Sequence, residues 1–110
     1  MDIKRAHKIQ KDSFKRRWKI RESKAMDYAT EDILSNFKRM SKMATLLNLD
    51  LSQPSGVALF YALLKIDRLC NLLYRKKTQP KNESLRDTID DLKNYIDLME
   101  ECMYESIKLE

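Results

Sequence analysis

The stretch ALLKIDRLCNLL, residues 62–73, decides the fold class of this chain. It predicts a helix whose apolar side chains cover most of its circumference, and such a helix belongs at the centre of an all-α domain. Lys65, Asp67 and Arg68 nevertheless lie in its middle, and an unpaired buried charge is costly. Lys65 and Arg68 share one narrow sector, with Asp67 outside it. Two interpretations follow: a stripe that faces solvent, or an anion site that faces the carboxylates of the last helix.

Three further helices are predicted around this one, within a single domain of 110 residues. The composition, with 35% charged residues, 43% apolar residues and 1 Gly, is typical of a helical protein. The sequence therefore predicts a bundle of four or five helices. Its helices span about 2–24, about 30–47 with Thr30 as the cap, about 54–77 from Pro54 onward, and from the cap Asn82 to about 108.

The last predicted helix has an apolar seam with the spacing of a helix bundle. The seam consists of Leu85, Ile89, Leu92, Ile96, Met99 and Met103. Acidic residues occupy the opposite side, and a solvated face explains most of them. Glu83, Asp90, Asn94 and Glu101 lie nearly opposite the seam. Asp91 is rotated from the centre of that acidic face by roughly 80° and Asp87, one turn away, by about half that, so solvation explains these two least well.

The basic character of the chain is concentrated at its start. Residues 1–24 contain ten Lys or Arg and three acidic residues, a net charge of +7, whereas the remainder carries −2. This segment predicts either a solvated helix or a surface that binds nucleic acid or another protein. No apolar run is long enough to span a membrane. Cys70 and Cys102 are expected to be free thiols in a cytoplasmic protein.

Four motifs together resemble a known family. They are KAMDYATED at 24–32, NFKRM at 36–40, LLKIDRLCNLL at 63–73 and NESLRDTIDDLKNYIDL at 82–98. In order and spacing they are similar to the phage-encoded nucleotide-modification-associated domain, which in turn resembles the MazG-like all-α nucleoside triphosphate pyrophosphohydrolases. The resemblance covers about residues 24–104. It implies a nucleotide-binding domain at 24–110, with residues 1–23 as a basic helical extension.

The resemblance also implies a site. Mg²⁺ would be held by Asp87 and Asp91, which would be the catalytic pair, with Glu83 as a further ligand. The nucleotide and its phosphates would contact Lys65, Arg68, Asn94, Tyr95, Tyr28, Lys24, Asn36 and Phe37. The implied ligand is a ribo- or deoxyribonucleoside triphosphate or a similar nucleotide, in the cytoplasm of a phage host.

The sequence departs from this pattern where the metal ligands are expected. Lys65 and Arg68 stand where MazG-like enzymes carry a Glu-x-x-Glu pair, and Thr88 replaces a second-motif Glu. Three function classes therefore stay open: a Mg²⁺-dependent pyrophosphohydrolase, a binder that sequesters a nucleotide without turnover, and an interaction module based on residues 1–24. The apolar excess of the third helix predicts a homodimer or homotetramer.

Overall fold

The computed structural model describes residues 1–28, 32–75 and 82–107, and every regular element within them is helical. The predicted all-α architecture with four helices is confirmed for this part of the chain. The helices are α1 (Ile3–Tyr28), α2 (Ser35–Leu46), α3 (Pro54–Cys70) and α4 (Asn82–Ile107), and α3 continues into a π-helical turn at Asn71–Arg75. Helix α1 runs without a break across the predicted boundary at residues 23 and 24.

The predicted start of the second helix is wrong. Helix α2 begins at Ser35, and Thr30, the predicted cap, lies outside the described residues. The Asp32 carboxylate accepts hydrogen bonds from the backbone N–H of Leu34 at 2.9 Å and from Lys38 Nζ at 2.5 Å. A local bond of this kind holds the backbone in a turn before the helix. The same two bonds, that of Lys38 first, keep the pKa of Asp32 below its usual value.

The connection between α2 and α3 has the geometry of a Schellman cap. Asn48 adopts a left-handed conformation with φ of 55°. Its N–H donates to the carbonyl of Thr45, and the N–H of Leu49 donates to that of Ala44. Asparagine tolerates this conformation better than most residues, which explains why the helix ends here.

The predicted start of the third helix at Pro54 is confirmed. The preceding loop is ordered by Asp50, whose carboxylate accepts bonds from the N–H and the hydroxyl of Ser52. Gly56 then lets this loop approach α3 closely, because a Cβ at that position would lie 1.9 Å from the carbonyl oxygen of Asp50. The single glycine of the chain is therefore required by a backbone contact.

Helix α3 is the central element, as its apolar circumference predicts. Helix α4 packs along it most extensively, α2 packs on another side, and α1 touches both α3 and the π-helical turn. The buried apolar side chains are Met40, Ala58, Ala62 and Leu72. None of the helices in the described residues is long and apolar enough to cross a membrane.

Helix α4 does not pack squarely on its predicted seam. Ile89 and Ile96 remain 40% and 42% exposed, whereas Thr88 is fully buried and Tyr95 stacks on Tyr61 of α3. The face toward α3 is thus rotated from the seam centre by about 50° at ~100° per residue. The rotation leaves part of the seam without a partner helix.

The chain exposes more surface than a compact protein of its mass. Its accessible surface is 9,039 Å², against about 6,400 Å² for a compact monomer of this mass. Its radius of gyration is 18.1 Å, against about 13 Å for a compact chain of this length. The almost fully exposed residues 1–24 of α1 contribute to this excess. Large apolar side chains are also exposed on α2, α3 and α4.

Candidate functional site

The side of α3 that carries Tyr61, Lys65 and Arg68, which we call the polar stripe, faces α4. The rings of Tyr61 and Tyr95 stack with centroids 5.3 Å apart. One turn further along α3, Lys65 Nζ lies 3.4 Å from Asp91 Oδ2, and the Lys65 side chain is only 15% exposed. The solvent-facing interpretation therefore does not describe this stripe. It meets the acidic helix, and its lysine is already paired with one of the predicted catalytic carboxylates.

The next cation of the stripe also contacts α4. Arg68 donates a hydrogen bond from a terminal guanidinium nitrogen to Ser84 Oγ at 3.1 Å. Beside it, the Thr88 hydroxyl donates to the carbonyl of Ser84 at 2.7 Å. Thr88 stands where the resembled motif has a glutamate, and here the position is fully buried. In this chain the position serves helix packing.

The described carboxylates form a weak donor set for a metal. Asp91 is shared with Lys65, and Asp87 lies exposed on α4. The side chain of Glu83 lies outside the described residues. Across the described part of the chain, no three His, Cys, Asp or Glu side chains are grouped as a metal site requires. These residues do not fit a resident Mg²⁺ ion, although Mg²⁺ also binds through one or two carboxylates together with substrate phosphates.

A groove of about 470 Å³ lies between α1, α2 and one side of α3. We call it the α1–α2 groove. It is lined by Trp18, Arg21, Glu22, Lys24, Ala25, Ile33, Leu34, Asn36, Phe37 and Leu64. Its volume is in the range of small-molecule sites, and its lining combines apolar surface with a few polar groups, as such sites do.

The polar and aromatic groups of the groove have distinct environments. The Arg21 guanidinium carbon lies 5.3 Å from the centroid of the Trp18 ring, a cation–π contact that restrains this cation. The Phe37 ring is exposed, whereas the neighbouring Asn36 is only 8% exposed. Lys24 is an exposed second cation at the groove. The groove thus offers a ring face, two cations, one carboxylate from Glu22, and a buried amide.

The structure divides the predicted site residues into two groups. Lys24, Asn36 and Phe37 come together in the α1–α2 groove. Lys65, Arg68, Asp91 and Tyr95 lie at the contact between α3 and α4.

Four predicted residues belong to neither group as described. Asp87 and Asn94 are exposed on α4. The side chains of Tyr28 and Glu83 lie outside the described residues. The predicted site is therefore not a single cluster within the described part of the chain.

Sequence reasoning missed Trp18 and Arg21. Both were assigned to a basic extension outside the site, yet they line the groove together with Lys24. Their three-residue spacing was a usable signal, since side chains at that spacing are neighbours on a helix. No sequence signal indicated that these α1 residues line a groove together with α2 residues, because the two sets lie far apart in the chain.

Asp67, the third charge of the central helix, has a structural role on the opposite side of α3. Its carboxylate accepts bonds from Arg39 Nε at 2.7 Å and from a terminal nitrogen of Arg39 at 3.1 Å. The Arg75 guanidinium donates to the same carboxylate at 3.0 Å and to the Asp67 carbonyl at 2.5 Å. This Asp67 clamp ties α2, α3 and the π-helical turn together, and its carboxylate is only 10% exposed.

Comparisons with known proteins add no family. No protein-family model, curated protein or solved structure matches this chain. The resemblance to the MazG-like enzymes therefore stays a prediction from the motifs, and the function is argued below from the two sites.

Proposed function

We propose that this protein binds a nucleotide in the α1–α2 groove. The observation that carries the proposal is the combination of a ring face, two cations and a buried amide in one small-molecule-sized groove. Phe37 would stack on the base, and the Asn36 amide could bond its edge, since an amide both donates and accepts. Arg21 and Lys24 would bind the phosphates, where charge-assisted hydrogen bonds are strong.

We further propose binding without rapid hydrolysis. In a related pyrophosphohydrolase, Mg²⁺ neutralises the triphosphate and activates water. Here Asp87 and Asp91 would hold that ion together with the nucleotide phosphates. The Asp91 carboxylate would then be shared between that ion and the Lys65 ammonium, which lies 3.4 Å away and carries the same sign of charge as the metal. This competition favours a protein that sequesters a nucleotide, although a Mg²⁺-dependent pyrophosphohydrolase of the MazG-like type stays the alternative.

The same proposal includes self-association in the cytosol, where Cys70 and Cys102 would remain the free thiols that they are here. The excess surface of about 2,600 Å² for one chain over a compact monomer is larger than the about 1,000–2,500 Å² that each partner contributes to a permanent dimer interface. The exposed part of the α4 seam, at Ile89 and Ile96, supplies apolar surface for a homodimer or homotetramer.

Calorimetric titration with a panel of nucleoside mono- and triphosphates, with and without Mg²⁺, tests the binding site. Arg21→Ala should weaken binding by about 1.5–3 kcal/mol, the size of a charge-assisted hydrogen bond. Arg86→Ala removes the same charge from an exposed position on α4 and should change little. Phe37→Ala should weaken nucleotide binding by about 1–3 kcal/mol through lost stacking. Tyr74→Ala is the matched control: it removes an 80% exposed ring outside the groove and should leave nucleotide binding unchanged.

Three results would redirect the proposal. Loss of binding in Lys65→Ala but not in Arg21→Ala would move the nucleotide to the contact between α3 and α4. Release of pyrophosphate that requires Mg²⁺ and is lost in Asp91→Asn would make the protein an enzyme. If no nucleotide binds, the third class remains, an interaction module based on residues 1–24.

A further inference from the structure

A predominantly basic surface covers one side of α1, apart from the groove. Seven of its cations fall within a sector of about 140° at ~100° per residue. We call this the α1 basic sector. It consists of Lys4, Arg5, Lys8, Lys11, Lys15, Arg16 and Lys19, and all seven side chains are exposed. Along the helix axis it extends about 22 Å, a length that several consecutive phosphates of one strand can occupy.

The α1 basic sector keeps most of its positive charge within the described part of the chain. No ion pair joins any of its seven cations to another described residue. Asp12, the one acidic residue between Lys4 and Lys19, lies within the sector and leaves it with a net charge of +6. Among residues 1–24 only Ala6 and Ser13 are even half-buried, so most of this part of α1 is exposed to solvent. Like charges this close on a helix repel one another. A polyanion would relieve that repulsion.

Two aromatic rings lie at the edge of this sector. Phe14 and Trp18 stack with centroids 6.2 Å apart and an interplanar angle of 18°. They are 59% and 46% exposed, and on the helix they adjoin Lys11 and Lys15. Proteins that bind single-stranded nucleic acid combine cations along the backbone with aromatic faces on which bases stack. Charge alone would suit any polyanion, whereas exposed rings beside the cations suit unpaired bases.

We infer that the α1 basic sector binds single-stranded nucleic acid, through its cations to the phosphates and through the face of Phe14 to a base. Single-stranded DNA and RNA share this chemistry. The inference goes beyond the proposed nucleotide groove, because the lysines that carry it do not line that groove.

Fluorescence anisotropy over a series of salt concentrations tests the inference on the full chain. The probes are labelled oligothymidylate, oligouridylate and a DNA duplex of equal length, and the two single strands distinguish DNA from RNA. The triple variant Lys8→Gln, Lys11→Gln, Lys15→Gln should bind the single strands at least about tenfold more weakly. The slope of log affinity against log salt should fall by about 2, since each phosphate contact on a single strand contributes about 0.7.

A second triple variant controls for net charge. Lys42→Gln, Arg86→Gln and Lys93→Gln remove the same formal charge from exposed positions on α2 and α4. This variant should bind within about twofold of the parent, because its cations lie outside the sector. Equal losses in the two triple variants would overturn the inference, since net charge and not the sector would then govern binding.

Phe14→Ala separates stacking from charge. It should weaken single-strand binding at least about fivefold, the lower end of one lost base stack, and leave the salt slope unchanged. No effect, together with equal affinity for the duplex, would refute a single-strand site. Absence of binding at low salt, or binding to anionic lipid vesicles alone, would also overturn it. An unchanged nucleotide titration in the first triple variant would show that sector and groove are independent, whichever of the two proposals survives.

Discussion

Replacing Asp67 by Asn should destabilise the fold more than any surface charge change. The substitution keeps the side-chain size but removes the charge that holds Arg39 and Arg75, and the new amide NH₂ would face guanidinium groups. Breaking a buried pair in this way costs about 3–5 kcal/mol. The Asp67 carboxylate is 10% exposed, but the arginines are 31% and 24% exposed and can regain some hydration. We therefore expect a loss of about 2–4 kcal/mol, out of a total of about 5–15 kcal/mol for a typical domain.

Urea denaturation followed by circular dichroism measures this loss, with the slope of the transition as a check that the unfolded surface is unchanged. Asp90→Asn is the matched control, because it makes the same chemical change on the exposed side of α4 and should stay within about 0.5 kcal/mol of the parent. A double-mutant cycle with Arg39→Ala should show a coupling energy of at least about 1 kcal/mol. If Asp67→Asn is within 1 kcal/mol of the parent, the clamp does not hold α2 on α3.

Three further predictions concern the backbone, acid stability and association. Gly56→Ala should lower the free energy of unfolding by about 1–3 kcal/mol in the same denaturation assay, because its Cβ would meet the backbone of Asp50. This clash outweighs the helix propensity that alanine adds. An unchanged or higher stability would contradict the close approach. The pKa values of Asp32 and Asp50 are lowered by their hydrogen bonds, so the stabilisation they provide is present at neutral pH and lost as the pH falls below about 4. In Asp50→Asn the urea midpoint should therefore fall less between neutral and acid pH than in the parent. An identical pH profile would refute this. Analytical ultracentrifugation at micromolar concentration should show a dimer or tetramer that Ile96→Lys dissociates; a folded monomeric parent would exclude the proposed association.

Much of the fold could be predicted because its signals are local. The apolar circumference of residues 62–73 identified the central helix, and Pro54 marked where that helix begins. The bounds of the last helix were also close to prediction. The start of α2 was not, because Asp32 bonds the backbone of Leu34 and keeps the chain in a turn. A capping pattern alone does not reveal which of several acidic residues makes that bond.

The packing face of α4 could not be predicted, because it depends on its partner helix. Periodicity selects the most apolar side, at Ile89 and Ile96. The structure instead turns Thr88 inward and stacks Tyr95 on Tyr61. A small residue allows close helix approach, and an aromatic pair adds its own stabilisation. Both contributions depend on what α3 presents at the same level, which no single-helix pattern contains.

The three charges within the central apolar helix are explained by the positions of its neighbours. Lys65 and Asp67 are two residues apart, and therefore lie about 160° from each other around α3. Lys65 reaches α4 through Asp91, and Asp67 reaches α2 through Arg39. Leu64, between these directions, lines the α1–α2 groove. Because α2 carries Asn36 and Phe37, the Asp67 clamp also fixes one wall of the groove. Asp67→Asn should therefore weaken nucleotide binding at temperatures where the chain is still folded, without removing any group that the nucleotide is proposed to touch.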